Sequence, residues 1–181
     1  MKISILKPVI PYIGLPIIGA LLIILRFRQM DTIIMLWCVM LVTFGYIISV
    51  SDIKTKTIPN KLVLIMLAAW VVTMIPLTLL DTEIAYMLVI DSLIGFAVGG
   101  IIFLLAYIIS RKGLGGGDVK FMAVAGLYLG FYGVIPAMLY GSILAAITGI
   151  VLLIIKKLGR KDKMPFAPFL YAGMVITMFV L

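Results

Sequence analysis

Chemistry in this chain has few places to come from. Its acids are Asp31, Asp52, Asp81, Glu83, Asp91, Asp118 and Asp162, its one cysteine is Cys38, and it has no histidine. That inventory excludes a Ser-His-Asp triad, a histidine-ligated metal, a four-cysteine zinc site and an internal disulfide. Acid–base work must use carboxylates, a lysine or a tyrosine. Two of the acids stand in informative company. Asp52 opens the polar run SDIKTKTIPNK, residues 51–61, and Asp118 closes a triple glycine in RKGLGGGDVK, residues 111–120.

A pair of nearby carboxylates can hydrolyse a peptide bond without metal or cofactor. Like charges at close range share one proton, so the ionised partner activates a water while the protonated partner donates to the carbonyl oxygen or the leaving amine. The pair titrates as a unit, and spacing does not say which member is acid and which is base. Gly115, Gly116 and Gly117 let the backbone bend and approach an extended peptide closely. Lys120 is placed either to orient a substrate carbonyl or to sit among lipid headgroups. A plainer reading stands beside this one: Asp118 as a helix N-cap and Asp52 as a solvated charge among lysines. Nucleotide binding is not supported, because the glycine run lacks the G-x-x-x-x-G-K-[ST] pattern.

The elements that must carry these loops are apolar. Hydrophobic residues make up 65% of the 181 and charged residues 12%, against about 45–50% and about 25% in soluble domains. Crossing a hydrocarbon core of about 30 Å takes roughly 20 apolar residues. Such stretches fall near 8–25, 32–51, 62–80, 86–109, 119–136, 137–155 and 165–181. The expectation is an all-α, polytopic transmembrane bundle of six to seven spans forming one integral-membrane domain over 1–181. The first span is the doubtful one, since Pro8, Pro11 and Pro16 each remove a backbone donor. A cleavable signal peptide is its rival, though no A-x-A site follows.

The formal net charge of +8 is explained by topology and anionic lipid, with no call for nucleic acid. With the N-terminus inside, every basic residue except Arg26 and Arg28 lies on the cytoplasmic side, and the cation-free loop of Asp81 and Glu83 faces outward. Both polar loops, with Asp52 and Asp118, then share the inner face at about one depth. Asp91, inside a span, is expected to make a structural hydrogen bond. Small residues four apart, Gly95 with Gly99, Gly126 with Gly130, and Gly141 with Ala145 and Gly149, are expected to bring helices close together. Cys38 and the scattered methionines read as packing.

Gly115-Gly116-Gly117-Asp118-Val119-Lys120 resembles the GxGDVK signature of the type IV prepilin peptidase family of membrane aspartic proteases. Asp52 followed by Ile58-Pro59-Asn60 is similar to the family's other active-site half. Asp91-Ser92-Leu93-Ile94-Gly95 and Pro165-Phe166-Ala167-Pro168-Phe169-Leu170 match further, in the same order, over a core of about 45–181. The resemblance implies that Asp52 and Asp118 are the catalytic pair, with Pro59, Asn60, Gly115, Gly117 and Lys120 shaping the site. It implies a short basic leader cut from type IV prepilin-like or preflagellin-like precursors at the cytoplasmic face of the inner membrane. The family's larger bacterial members add a cytoplasmic region with two CxxC pairs linked to N-methylation. Its absence here gives an expectation of peptidase without methyltransferase activity. Two alternatives remain: a small carrier relaying protons or cations through Asp52, Asp91 and Asp118, and a non-catalytic pilin assembly partner.

Overall fold

The computed structural model describes residues 31–110, 113–156 and 164–180. Five helices occupy them, with no strand among the described residues: α1 (Thr32–Thr55), α2 (Asn60–Leu80), α3 (Thr82–Ile109), α4 (Gly116–Ile154) and α5 (Ala167–Val180). The first four are long and apolar enough to cross a membrane, and α5 is a shorter apolar helix. Apolar side chains lie on every side of these helices, as expected of lipid-facing spans. Leu79, Ile109 and Tyr132 are among the large side chains left pointing outward, while Leu41, Ile48, Met66, Phe121, Met122 and Leu170 fill the interior. The chain is a multi-pass helical membrane protein. The expected span at 8–25 and the signal-peptide alternative lie outside the described residues.

One boundary differs from expectation. The break expected between 136 and 137 lies at Gly130, whose φ of 64° and ψ of −173° are non-helical. Pro136 stays inside the helix, because only glycine enters that backbone region at low cost. The register against α3 shows what Gly130 does. Gly95 abuts Gly126 and Gly130, and Gly99, one turn on, abuts Met122 and Val134. As α3 advances, its contacts retreat along residues 116–129 and advance along 131–154. The two arms of α4 therefore run in opposite directions, forming a hairpin clasped on α3. Its reversal is tied by Asp91, whose Oδ1 accepts the Phe131 N–H at 3.1 Å. That bond bears out the structural role expected of Asp91.

The remaining helices lean on this unit. A buried Trp37 Nε1 donates to Thr73 Oγ1 at 2.9 Å, joining α1 to α2, and Tyr128 Oη donates to the Met66 carbonyl at 2.6 Å, joining α2 to α4. α5 lies between α1 and the second arm, where Gly45 faces Tyr171 and Gly173 faces Ala137 and Gly141. At Gly126 an added methyl would run into the Gly95 carbonyl, whereas at Gly149 it would meet only the Met164 Cε at 3.8 Å. Gly126→Ala should therefore cost about 1–3 kcal/mol. Thermal unfolding in detergent checks this: a clear fall in Tm for Gly126→Ala, with Gly149→Ala close to the parent.

Candidate active site

Asp52 lies in the last turn of α1. The helix stops three residues later, with Lys56 in the left-handed region (φ 52°, ψ 32°) and its N–H on the Asp52 carbonyl at 2.7 Å. The side chain is not a solvated charge: Asp52 is 5% exposed. Its Oδ2 accepts the Ala167 N–H at 3.0 Å. Ala167 is the first residue of α5, and the Phe166 carbonyl takes the first helical bonds, from Phe169 and Leu170. A phenylalanine in the capping position has no side-chain acceptor, so Asp52 supplies one from another helix.

Asp118 occupies the third position of α4 and is 7% exposed. Its Oδ2 accepts the Gly115 N–H at 3.1 Å. Gly115 has no side chain, so only this half of a capping box is formed. The other oxygen, Oδ1, is buried and has no hydrogen-bond partner among the described residues. Asp118 is therefore not the expected N-cap, which is Gly115; from the third position it accepts the N-cap's N–H through one oxygen and leaves the second unspent. The bundle brings the two carboxylates to one end of the molecule, where Gly117, beside Asp118, packs against Ile58 of the turn that follows Asp52. Asp91, at the hairpin reversal, lies on the order of 20 Å away, some thirteen residues of helix at about 1.5 Å each.

The three glycines ahead of Asp118 are not equivalent. A methyl on Gly115 would stand 2.8 Å from Asp118 Oδ2, and one on Gly117 would stand 2.8 Å from the Ile58 Cβ; at Gly116 nothing lies within 4 Å. Gly115 thus admits the carboxylate, and Gly117 admits the turn that follows Asp52. That turn is ordered by Pro59, which precedes α2 with φ −66° and ψ 124° and offers its carbonyl to Leu62 and Val63. Asn60 Oδ1 accepts from Lys120 Nζ at 3.1 Å. Lys120 therefore ties the two loops together, a use the sequence had not suggested. Beside this tie runs an apolar groove of about 420 Å³, lined by Val63, Leu67, Phe96 and Ala123 together with Asn60 and Lys120.

Sequence reasoning missed the part played by Ala167. The signal was available in the Pro165–Leu170 match, but a backbone amide leaves no mark in side-chain chemistry. No group of three or more potential metal-ligating residues occurs among the described residues. Chemically, the arrangement offers two buried carboxylates, each steadied through one oxygen by a backbone N–H.

Comparison with known proteins gives a consistent picture. The model of the type IV leader peptidase family matches residues 39–150. A prepilin leader peptidase/N-methyltransferase of Bacillus subtilis (strain 168) is 28% identical over 139 residues, 77% of this chain and 53% of the relative. One of Xanthomonas campestris pv. campestris is 29% identical over 131 residues, 69% of this chain and 43% of the relative. The chain thus spans about half the length of these curated relatives. No solved structure matches it.

The contact between Gly117 and Ile58 can be tested without any activity assay. Gly117→Ala should lower stability by about 1–2 kcal/mol, and because the atom met at 2.8 Å is the Ile58 Cβ, the loss in Gly117→Ala/Ile58→Gly should be smaller than the sum of the two single losses. Gly116→Ala should unfold with the parent. Thermal melts of these proteins, the parent and the Ile58→Gly single variant in one detergent decide it, and additive losses in the double variant would contradict the contact.

Proposed function

This chain belongs to the type IV leader peptidase family, and from that premise we propose that it is a membrane aspartic endopeptidase acting on type IV pilin-like or preflagellin-like precursors. The reaction is removal of a short basic leader at the cytoplasmic face of the inner membrane. Asp52 and Asp118 are the catalytic pair. One observation supports the reading: two buried carboxylates come from separate helices, one of them in a G-x-G-D turn, and the loops that carry them are packed together through Gly117 and Ile58 and bonded through Lys120 and Asn60.

The mechanism follows from their proximity. With one proton shared between them, the ionised carboxylate takes a proton from water as its oxygen attacks the scissile carbonyl. The protonated partner stabilises the carbonyl oxygen, then delivers its proton to the leaving amine as the C–N bond breaks. Water is consumed and no metal or cofactor enters. Gly115 and Gly117 let the Asp118 carboxylate and the Ile58 turn pack closely beside them, and the Lys120–Asn60 bond holds the loops in register. The neighbouring apolar groove offers room for an apolar stretch of precursor beside the scissile bond. Lipid contacts on the outer faces complete the setting.

A carrier relaying charge through Asp52, Asp91 and Asp118 is less well supported. Asp91 is occupied by the Phe131 N–H at the far end of the hairpin. The N-methyltransferase in the relatives' names is said of those proteins, and the proposal for this chain is confined to the peptidase.

Purified protein in liposomes with a pilin-like precursor tests the reading by gel mobility and N-terminal sequencing of the product. Asp52→Asn and Asp118→Asn should each reduce cleavage by about 10²–10⁴-fold. Undiminished processing by both variants would refute the pair. Orientation is tested in a Cys38→Ala background, where single cysteines at Thr55 and Gly113 should resist a membrane-impermeant reagent applied from outside.

A further inference from the structure

Resting on the peptidase reading, we infer that the N-terminus of α5 is a third component of the active site, in which the Ala167 N–H is the positioning group for Asp52. The geometry is specific. On α1, Gly45, Ser49 and Asp52 follow one another at helical spacing along the face turned to α5. Asp52 Oδ2 takes the Ala167 N–H at 3.0 Å, and Ser49 Oγ lies 3.3 Å from the Ala167 carbonyl oxygen while donating to the Gly45 carbonyl at 2.6 Å. Both backbone groups of one residue are thus read by side chains one turn apart on the same helix.

Three features make this a positioning device in addition to a cap. Ala167 is fully buried, so no water competes for its N–H. The next residue is Pro168, which has no N–H of its own, so the donors that the start of α5 directs at the carboxylate are the Ala167 N–H and, as the lesser one, the Phe166 N–H. The seat of α5 is fixed by close approach: a methyl on Gly173 would overlap the Ala137 carbonyl, and one on Gly141 would lie 3.0 Å from the Leu170 Cα. A helix locked this way cannot turn its first amide away from Asp52. The bond to a carboxylate in a dry site is charge-assisted and directional, so it fixes the rotation of the Asp52 carboxylate and with it the oxygen that faces Asp118 and water. The Pro-Phe-Ala-Pro segment thereby acquires a definite task.

Ala167→Pro removes the donor and suits the backbone, because proline is well tolerated at the first helical position and Phe166 precedes the helix, though its ring adds bulk at a fully buried site. Its kcat on a pilin-like precursor should fall about 10- to 100-fold, as expected for loss of a hydrogen bond to a charged group, with KM nearly unchanged. Ala167→Gly keeps the N–H and should hold kcat within about threefold of the parent. Should the proline variant fail to fold, replacing the residue-167 amide by an ester through the corresponding α-hydroxy acid removes the same N–H without added bulk, and should give the same fall in kcat. The inference is overturned if the proline or ester protein keeps parental kcat while Asp52→Asn is inactive, if the loss falls on KM alone, or if Ala167→Gly is as slow as Ala167→Pro. Parental cleavage by Asp52→Asn and Asp118→Asn would instead overturn the peptidase reading on which it rests.

Discussion

A helix that begins inside a low-dielectric interior brings N–H groups that need an acceptor, and this protein meets that need with its scarce carboxylates. Asp91 accepts from Phe131 at the start of the second arm, Asp118 from Gly115 at the start of the first, and Asp52 from Ala167 at the start of α5, while at the exposed start of α3 Asp81 accepts from Ile84 in the same way. The architecture follows from where those starts are allowed to be. Two of the four acceptors, Asp81 and Asp118, serve their own helix. The other two reach across to a different helix, and each such reach fixes a tertiary relation: the hairpin to α3, and α5 to α1.

Capping and catalysis are accordingly not rival readings of Asp118. A carboxylate has two oxygens, and a single backbone donor consumes only part of its accepting capacity. The backbone donor orients the group, and under the proposed function the second oxygen is the one left for chemistry. Under the proposed function the same division applies at Asp52, with the difference that its donor comes from a helix more than a hundred residues away in sequence. The site is therefore only as well ordered as the packing of α5 between α1 and the second arm, and the small residues Gly45, Gly141 and Gly173 hold that packing tight.

Much of this was legible in the sequence because it rests on residue type. Long apolar runs named the helices, the positions of Asp52 and Asp118 at the edges of polar loops foretold their meeting at one end, and glycines four apart marked the contact of α3 with α4. What was not legible depends on backbone geometry. The hairpin reversal fell at Gly130 instead of near Pro136, since proline announces a missing donor while the positive φ of one glycine among many has no sequence mark of its own. The unequal duties of Gly115, Gly116 and Gly117 needed the neighbours that their missing side chains admit. Lys120, expected at a substrate carbonyl or among lipid headgroups, bonds instead to Asn60 sixty residues away, a partner that its residue type does not disclose, and a backbone amide like that of Ala167 is common to almost every residue in the chain.

The hairpin also sets a length. The first arm, residues 116–129, rises about 21 Å at about 1.5 Å per residue, short of a hydrocarbon core of about 30 Å. A span this short is matched to a thinned bilayer, and its neighbours must tilt or draw the lipid inward to meet it. Asp118 begins that arm, so thinning at its end shortens the path for water and for a polar segment of chain to the carboxylates. Under the proposed function, acyl-chain length around the protein thus becomes a variable of its chemistry, set by a single glycine at the far end of the same arm.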